Sequence, residues 1–172
     1  MKKLITFILL SAASSAFAAS PYLGANIGYL VDNEDAYFTT RIGSVVAQAN
    51  GLTHSAELEL GYTTSTDYGF ELELVPVMAN YRITTNRDSS KVEYFGGAGL
   101  GVSRVKLNGW GADDATWAFA VQAFGGVEYK ATPTVSLTLG LRYLWIGRAH
   151  LFNVKEDVGD DLSVEAGIRY RF

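Results

Sequence analysis

The chain has 172 residues, a formal net charge of −4 and no cysteine. A length of this size suits one domain, and the missing cysteines exclude disulfides, thiol catalysis and cysteine-ligated metals. The mildly acidic balance, without a basic cluster, argues against nucleic-acid binding, because phosphate contacts need clustered Lys and Arg.

The first segment has the three parts of an export signal. Two lysines precede an apolar run from Leu4 to Leu10, and small residues end in Ala16-Phe17-Ala18, the A-x-A pattern of a cleavage site. A retained transmembrane helix is disfavoured because it needs roughly 20 apolar residues. We predict that residues 1–18 are a cleaved signal peptide and that residues 19–172 form the mature domain. Its formal charge is −6, since two lysines and no acids are lost.

Four strands are predicted in the first half of the mature chain. They are Pro21–Val31, Tyr37–Ala47, Ser55–Thr64 and Phe70–Thr84. Asn50-Gly51, between the second and the third, is typical of a type I′ hairpin turn. In the fourth, the apolar phase slips by one residue, which predicts a β-bulge near Val75 and Pro76. The alternative is that this strand begins at Val75.

Four further segments alternate between an apolar face and a polar or small face, which is the period of a strand. They are Val92–Val102, Trp117–Tyr129, Val135–Trp145 and Leu162–Phe172. In the first of these, Gly97, Gly99 and Gly101 give the inner face almost no volume, so neighbouring side chains are expected to fill the space. The predicted outer loops are Asp32–Ala36, Thr66–Gly69, Lys106–Ala115 and Ala149–Asp161.

Eight strands of this length predict an all-β fold, an eight-stranded antiparallel up-and-down transmembrane β-barrel. A β-protein can cross lipid only as a closed barrel, with about 9 to 11 residues per strand. The aromatic residues support this reading, because they fall into two belts at the strand ends, where rings favour the membrane interfaces. The belt near the short turns contains Tyr22, Tyr81, Tyr94, Tyr129, Tyr170 and Phe172, and the opposite belt contains Tyr29, Phe38, Tyr62, Phe70, Trp117, Tyr143 and Trp145. The alternative is a soluble sandwich or ligand-binding barrel with these rings in its core.

Charged residues of both signs occupy the faces opposite the apolar ones. The predicted inward set is Arg41, Glu57, Glu59, Arg82, Glu93, Glu128, Arg142, Glu165, Arg169 and Arg171. An eight-stranded barrel is just wide enough for its own side chains to fill it. We therefore expect these residues to pair across the lumen and plug it, and the alternative is an ion gate.

Three stretches carry a family resemblance. They are Val75-Pro76-Val77-Met78-Ala79-Asn80-Tyr81-Arg82, Tyr94-Phe95-Gly96-Gly97-Ala98-Gly99-Leu100-Gly101-Val102 and the terminal Tyr170-Arg171-Phe172. With the signal peptide, they make the chain resemble the small outer-membrane β-barrel family that includes the OmpA transmembrane domain and OmpX. The resemblance implies a place in the bacterial outer membrane after export through the periplasm. It also implies that Ile168, Tyr170 and Phe172 form the signal read by the barrel-assembly machinery.

For function we expect a non-enzymatic, monomeric barrel with an envelope-structural or surface-interaction role, in contact with outer-membrane lipid and lipopolysaccharide. No cofactor, metal or nucleic acid is expected. One alternative is a small ion or solute channel. Another is a lipid-modifying enzyme resembling lipid A deacylases, although His54 and His150 are the only histidines and no serine adjoins His150.

Overall fold

The computed structural model describes residues 20–67, 70–86, 90–109, 112–151 and 154–172, which form eight β-strands. The strands are β1 (Pro21–Leu30), β2 (Ala36–Ala49), β3 (Leu52–Asp67), β4 (Phe70–Thr85), β5 (Val92–Gly109), β6 (Ala112–Lys130), β7 (Val135–Leu151) and β8 (Val154–Arg171). In these ranges, no helix is long and apolar enough to cross a membrane.

The strands form a closed ring. Each pairs antiparallel with its neighbour in sequence, and β1 pairs with β8 from Tyr22 opposite Arg171 to Leu30 opposite Ser163. Closure pairs the backbone groups within the wall, as lipid requires of any β-structure that spans it. The predicted eight-stranded up-and-down barrel is therefore confirmed.

Two segments predicted as outer loops are largely strand, and that part of the prediction was wrong. They are Lys106–Ala115 and Ala149–Asp161. β5 and β6 keep pairing until Gly109 lies opposite Ala112, and β7 and β8 until Leu151 lies opposite Val154. The polar residues there suggested loops. A hairpin that extends beyond the membrane can still be a strand pair, because its outer face no longer needs apolar residues.

β4 has no bulge at the predicted position. Its register against β3 is the same on both sides of Val75 and Pro76, and the strand begins at Phe70. Both the predicted bulge and the alternative start at Val75 are therefore wrong. The apolar phase changes because Leu72 and Leu74 pack inside the barrel, whereas Val77, Ala79 and Tyr81 face outward.

A register shift does occur in β2, between Val45 and Ala47, shortly before the β2–β3 turn. In that turn, φ is 54° at Asn50 and 72° at Gly51. Positive φ at both central residues is the requirement of a type I′ turn, which Asn-Gly meets at low cost. The prediction for this turn is confirmed.

The two faces of the wall differ in chemistry. Outward residues in the middle of the strands are apolar and open, for example Leu100 at 61% and Leu139 at 56% exposure. Inward residues are closed off, with Arg82 and Glu128 both at 0%. A ring of exposed Leu, Val and Ile around a charged interior is the arrangement expected of a barrel wall in lipid.

Side chains from neighbouring strands cover the inward glycines of β5. A Cβ atom added to Gly97 would lie 2.5 Å from the Phe124 ring and from the Tyr81 carbonyl oxygen, and one added to Gly99 would overlap the Asn80 amide. Larger neighbours thus occupy the volume that the glycines leave, as the sequence predicts.

Replacing Gly97 by valine should lower the free energy of unfolding by about 1 to 3 kcal/mol, because the Phe124 ring and the strand must move apart. Urea unfolding of refolded protein in micelles, followed by tryptophan fluorescence, measures the change. Gly96→Val is the matched control, since a Cβ there meets no atom closer than 3.8 Å. Equal losses of stability in the two variants would contradict close packing at Gly97.

Candidate functional site

The centre of the lumen is held by one arginine and two carboxylates, which we call the Arg142 cluster (Arg142, Glu59 and Glu165). Arg142 Nη1 lies 2.5 Å from Glu59 Oε1 on the opposite wall, and its Nε lies 2.5 Å from Glu165 Oε1 on the next strand. Gln122 accepts a bond from Arg142 and donates to Glu59 at 3.1 Å. All four residues are buried. Their mutual hydrogen bonds offset the cost of taking three charges out of water.

A second set, the Glu128 cluster, lies nearer the end of the barrel with the β2–β3 turn. Three arginines converge on Glu128: Arg82 at 2.8 Å, Arg169 at 3.0 Å and Arg171 at 2.6 Å. Four further ion pairs extend the cluster. These are Arg169–Glu57 at 3.9 Å, Arg41–Glu57 at 4.0 Å, Arg171–Glu93 at 3.8 Å and Lys130–Glu93 at 2.5 Å.

Every residue of the predicted inward set belongs to one of these two clusters. Nine of the ten are buried, and Arg171 is partly exposed at the barrel end. The prediction omitted Lys130, although its alternation with Tyr129 put it on the same inward face. It also omitted the neutral partners Gln122 and Asn80, which bond each other at 2.7 Å.

Aromatic rings inside the lumen pack on the guanidinium groups. The Phe95 ring centre lies 3.7 Å from Arg82 Cζ, and the Tyr22 ring centre lies 4.5 Å from Arg169 Cζ. Both are cation–π contacts. The Tyr22 hydroxyl also donates to Glu57 at 2.7 Å.

The placement of Tyr22 at the membrane interface was therefore wrong. Only 1% of its surface is exposed, and it points into the lumen. Tyr22 and Tyr29 are seven positions apart on one strand, and an odd separation puts two side chains on opposite faces. Because Tyr29 faces outward, the alternation alone already excluded Tyr22 from the outer face.

The other predicted interface aromatics lie on the outer surface. Those exposed outward are Tyr29, Phe38, Tyr62, Tyr81, Tyr94, Trp117, Tyr129, Tyr143, Trp145 and Tyr170, while the side chain of Phe70 lies outside the described residues. Ile168, Tyr170 and Phe172 also face outward, and the rings of Tyr170 and Phe172 meet edge to face at 5.2 Å.

An apolar layer fills the lumen at the other end, beyond the Arg142 cluster. It consists of Leu30, Tyr37, Leu74, Met78, Val105, Ala118, Ala120, Leu144, Ile146 and Ala149. The alternation of polar and apolar residues did not predict this layer. A signal was present, because Tyr143-Leu144-Trp145-Ile146 is apolar on both faces of its strand, which indicates that the inner face is dry there.

A polar cavity, which we call the vestibule, opens at the turn end of the barrel. Its volume is about 190 Å³. Its polar lining includes Ser55, Thr84, Glu93, Lys130, Arg169 and Arg171. The vestibule therefore borders the cationic side of the Glu128 cluster.

Among the described side chains, His54 is the one histidine, and it forms no hydrolytic arrangement there. His54 Nδ1 lies 2.6 Å from the Tyr81 hydroxyl on the outer surface near the turn end. The backbone of His150 pairs with Lys155, and its side chain is outside the described residues. Among the described residues, no three His, Cys, Asp or Glu side chains are grouped to hold a metal ion.

Comparison with known proteins gives a consistent picture. Residues 4–172 match the outer membrane protein beta-barrel domain. Neisserial surface protein A has 22% identity and a TM-score of 0.58, over 89% of this chain and 95% of its own. The attachment invasion locus protein Ail of Yersinia pestis has 13% identity and a TM-score of 0.54, over 89% and 97%. The outer membrane enzyme PagL has 11% identity and a TM-score of 0.55, over 87% and 98%. No curated protein matches the chain in sequence.

Proposed function

Because the chain belongs to the outer membrane protein beta-barrel domain family and lies in the bacterial outer membrane, we propose that it is a non-enzymatic barrel that closes its own lumen and interacts through its outer hairpins. The observation that carries the proposal is the layered lumen. Ion-paired side chains fill one part and an apolar layer fills the next.

The two layers oppose permeation by different means. In the Arg142 cluster, charges from opposite walls are hydrogen-bonded to one another, so an ion would have to break paired contacts to pass. Beyond it, side chains such as Met78 and Val105 are almost completely buried. An apolar constriction excludes ions by excluding their water. A plugged lumen is thus better supported than an open channel.

Planar-bilayer recordings test this part of the proposal. We expect no stable conductance steps from the wild-type protein or from Arg142→Ala, because the apolar layer remains in the variant. Conductance steps that appear with Arg142→Ala but not with the wild-type protein would indicate that the Arg142 cluster acts as a gate. Large wild-type conductance would favour the small ion or solute channel instead.

The outer hairpins support a surface role. Among the described residues, β6 and β7 pair only up to Ala120 opposite Ile146, although β6 begins at Ala112 and β7 continues to Leu151. One backbone edge of each extension is therefore open, and open edges can accept a strand from another protein. The similar Ail structure bears the name of an attachment protein.

Shortening the β7–β8 hairpin tests the surface role. In this variant, residues 148–157 are replaced by an Asn-Gly turn, and adhesion of bacteria carrying it to host-cell layers is compared with that of bacteria carrying the full chain. We expect adhesion to fall while the amount of folded barrel, judged by the mobility of unboiled samples in gels, stays the same. Equal adhesion would leave an envelope-structural role only.

The lipid-modifying alternative draws support from the similar PagL fold alone. The contact of His54 with a tyrosine hydroxyl offers no base for a serine nucleophile. Mass spectrometry of lipid A from cells with and without the protein distinguishes the two functions. Loss of an acyl chain only when the protein is present would establish an enzyme.

We also propose that the barrel is a monomer in contact with outer-membrane lipid and lipopolysaccharide. Ile168 and Tyr170 on β8 and Phe172 directly after it are exposed, which suits recognition by the barrel-assembly machinery. The two aromatic belts suit the headgroup regions of the bilayer.

A further inference from the structure

We propose that the vestibule is a binding site for a small free oxyanion, such as inorganic phosphate or a carboxylate, that enters from the turn end of the barrel. Three cationic side chains and several hydroxyl groups border it. The site is separate from the outer hairpins on which the proposed surface role depends.

Charge is distributed unevenly along the lumen. Among the described residues, the ion pairs connect five cations with three carboxylates, those of Glu57, Glu93 and Glu128. The cations are Arg41, Arg82, Lys130, Arg169 and Arg171. This cluster therefore has a formal excess of two positive charges. The Arg142 cluster has one arginine and two carboxylates, an excess of one negative charge. The positive excess lies beside the vestibule, where a buried charge without a counter-ion is costly.

Arg169 lacks some of its hydrogen-bond partners. Its side chain is 5% exposed, and its Nε and Nη2 atoms have no hydrogen-bond partner. Its Nη1 binds Glu128, and the Tyr22 ring covers one face of the guanidinium. The orientation is thus fixed. Nη2 lies 3.9 Å from Glu57 Oε1, too far for a hydrogen bond, so neither Nη2 nor Nε has a hydrogen-bond acceptor on this residue, which lines the cavity. A buried donor left without an acceptor is costly, so an acceptor is expected there.

The size and lining of the vestibule suit a small anion. A volume of about 190 Å³ is several times the share of one water molecule in the liquid, which is roughly 30 Å³. The hydroxyls of Ser55 and Thr84 add neutral donors. Water could satisfy the donors but would leave the excess charge. An oxyanion does both, and charge-assisted bonds to guanidinium are the stronger kind.

One carboxylate, Glu93, also lines the vestibule and would repel an anion. Its two oxygens are already engaged, by Lys130 at 2.5 Å and by Arg171 at 3.8 Å. The repulsion is therefore offset by the same two cations that face the cavity.

Arginine side-chain NMR of the refolded protein in a phosphate-free maltoside detergent tests the proposal. Inorganic phosphate and acetate are titrated at constant ionic strength set with chloride, and the Nε–H signals are followed. We expect the Arg169 signal, assigned with Arg169→Lys, to shift and saturate with both anions. Arg171→Gln should weaken phosphate binding by about tenfold or more, the effect of losing one charged hydrogen bond. The variant should still fold, because Glu128 keeps Arg82 and Arg169 as partners.

Arg104 supplies the matched control signal, because its side chain is 43% exposed on the outer wall beside Glu73. If the Arg104 signal shifts as much as the Arg169 signal, the anions act on every arginine through general screening, and the proposed binding site is wrong. No saturable Arg169 shift would mean that water alone fills the vestibule. A shift that appears only when phosphatidylglycerol is added to the micelle would assign the site to a lipid headgroup and overturn a free anion.

Discussion

Arg142→Ala should lower the free energy of unfolding by about 3 to 5 kcal/mol, the usual cost of removing one partner from a buried ion pair. The loss is large because Glu59 and Glu165 would face each other across the lumen without a cation. Urea unfolding in micelles gives the size of the change, and the mobility of unboiled protein in gels shows whether the barrel still closes.

Two further variants separate charge from packing in this prediction. Adding Glu59→Gln and Glu165→Gln to Arg142→Ala should restore part of the stability, since neutral amides tolerate burial better than unpaired carboxylates. Arg104→Ala removes an exposed pair with Glu73 at 3.5 Å and should cost less than about 1 kcal/mol. If Arg104→Ala costs as much as Arg142→Ala, burial does not govern the strength of these ion pairs.

Leu139→Arg should destabilise the barrel by about 2 to 4 kcal/mol, which is the penalty for a cation at the bilayer midplane. Leu139 points outward, near the middle of the part of β7 that runs from Val135 to Trp145 of the aromatic belt. Reversible unfolding from lipid vesicles is the appropriate measurement, because a detergent micelle can deform around the charge.

Ala115→Arg is the control for the position of the lipid. Ala115 also lies exposed on the outer wall, but it sits on the extension of β6, beyond Trp117 of the aromatic belt. A change within about 0.5 kcal/mol is expected for such a surface site. If both arginines were equally harmless, the exposed apolar band would not face acyl chains.

Alternation of polar and apolar residues was enough to predict the number of strands, their order and the two faces of the wall. It worked best where lipid and a charged lumen lie on opposite sides, as in β8, whose outward Ile168 alternates with inward Arg169. Where a strand leaves the membrane, the physical reason for the alternation ends. The outer parts of β5 to β8 were therefore missed as strands.

The interior was predicted less completely than the wall. The ionic residues could be identified because a charge on a strand between apolar neighbours must face away from lipid. The apolar layer could not be identified by the same rule, since Leu144 and Ile146 resemble their outward neighbours. Pairing across the lumen, such as that of Arg142 with Glu59, depends on how the strands are arranged around the barrel and on which side-chain rotamers fit. The alternation of polar and apolar residues gives no information about either.

The contact between Gly97 and Phe124 has a consequence for how this barrel can diverge. At that level of the lumen, the Phe124 ring of β6 fills the space that Gly97 of β5 leaves empty. A larger residue at 97 must displace the Phe124 ring and also meets the Tyr81 carbonyl oxygen, so it needs a shift of the backbone as well as a smaller residue at 124. A smaller residue at 124 leaves a void, because Gly97 has no side chain to fill it. Either change is harmful by itself, so related sequences should keep glycine at 97 wherever an aromatic ring occupies 124.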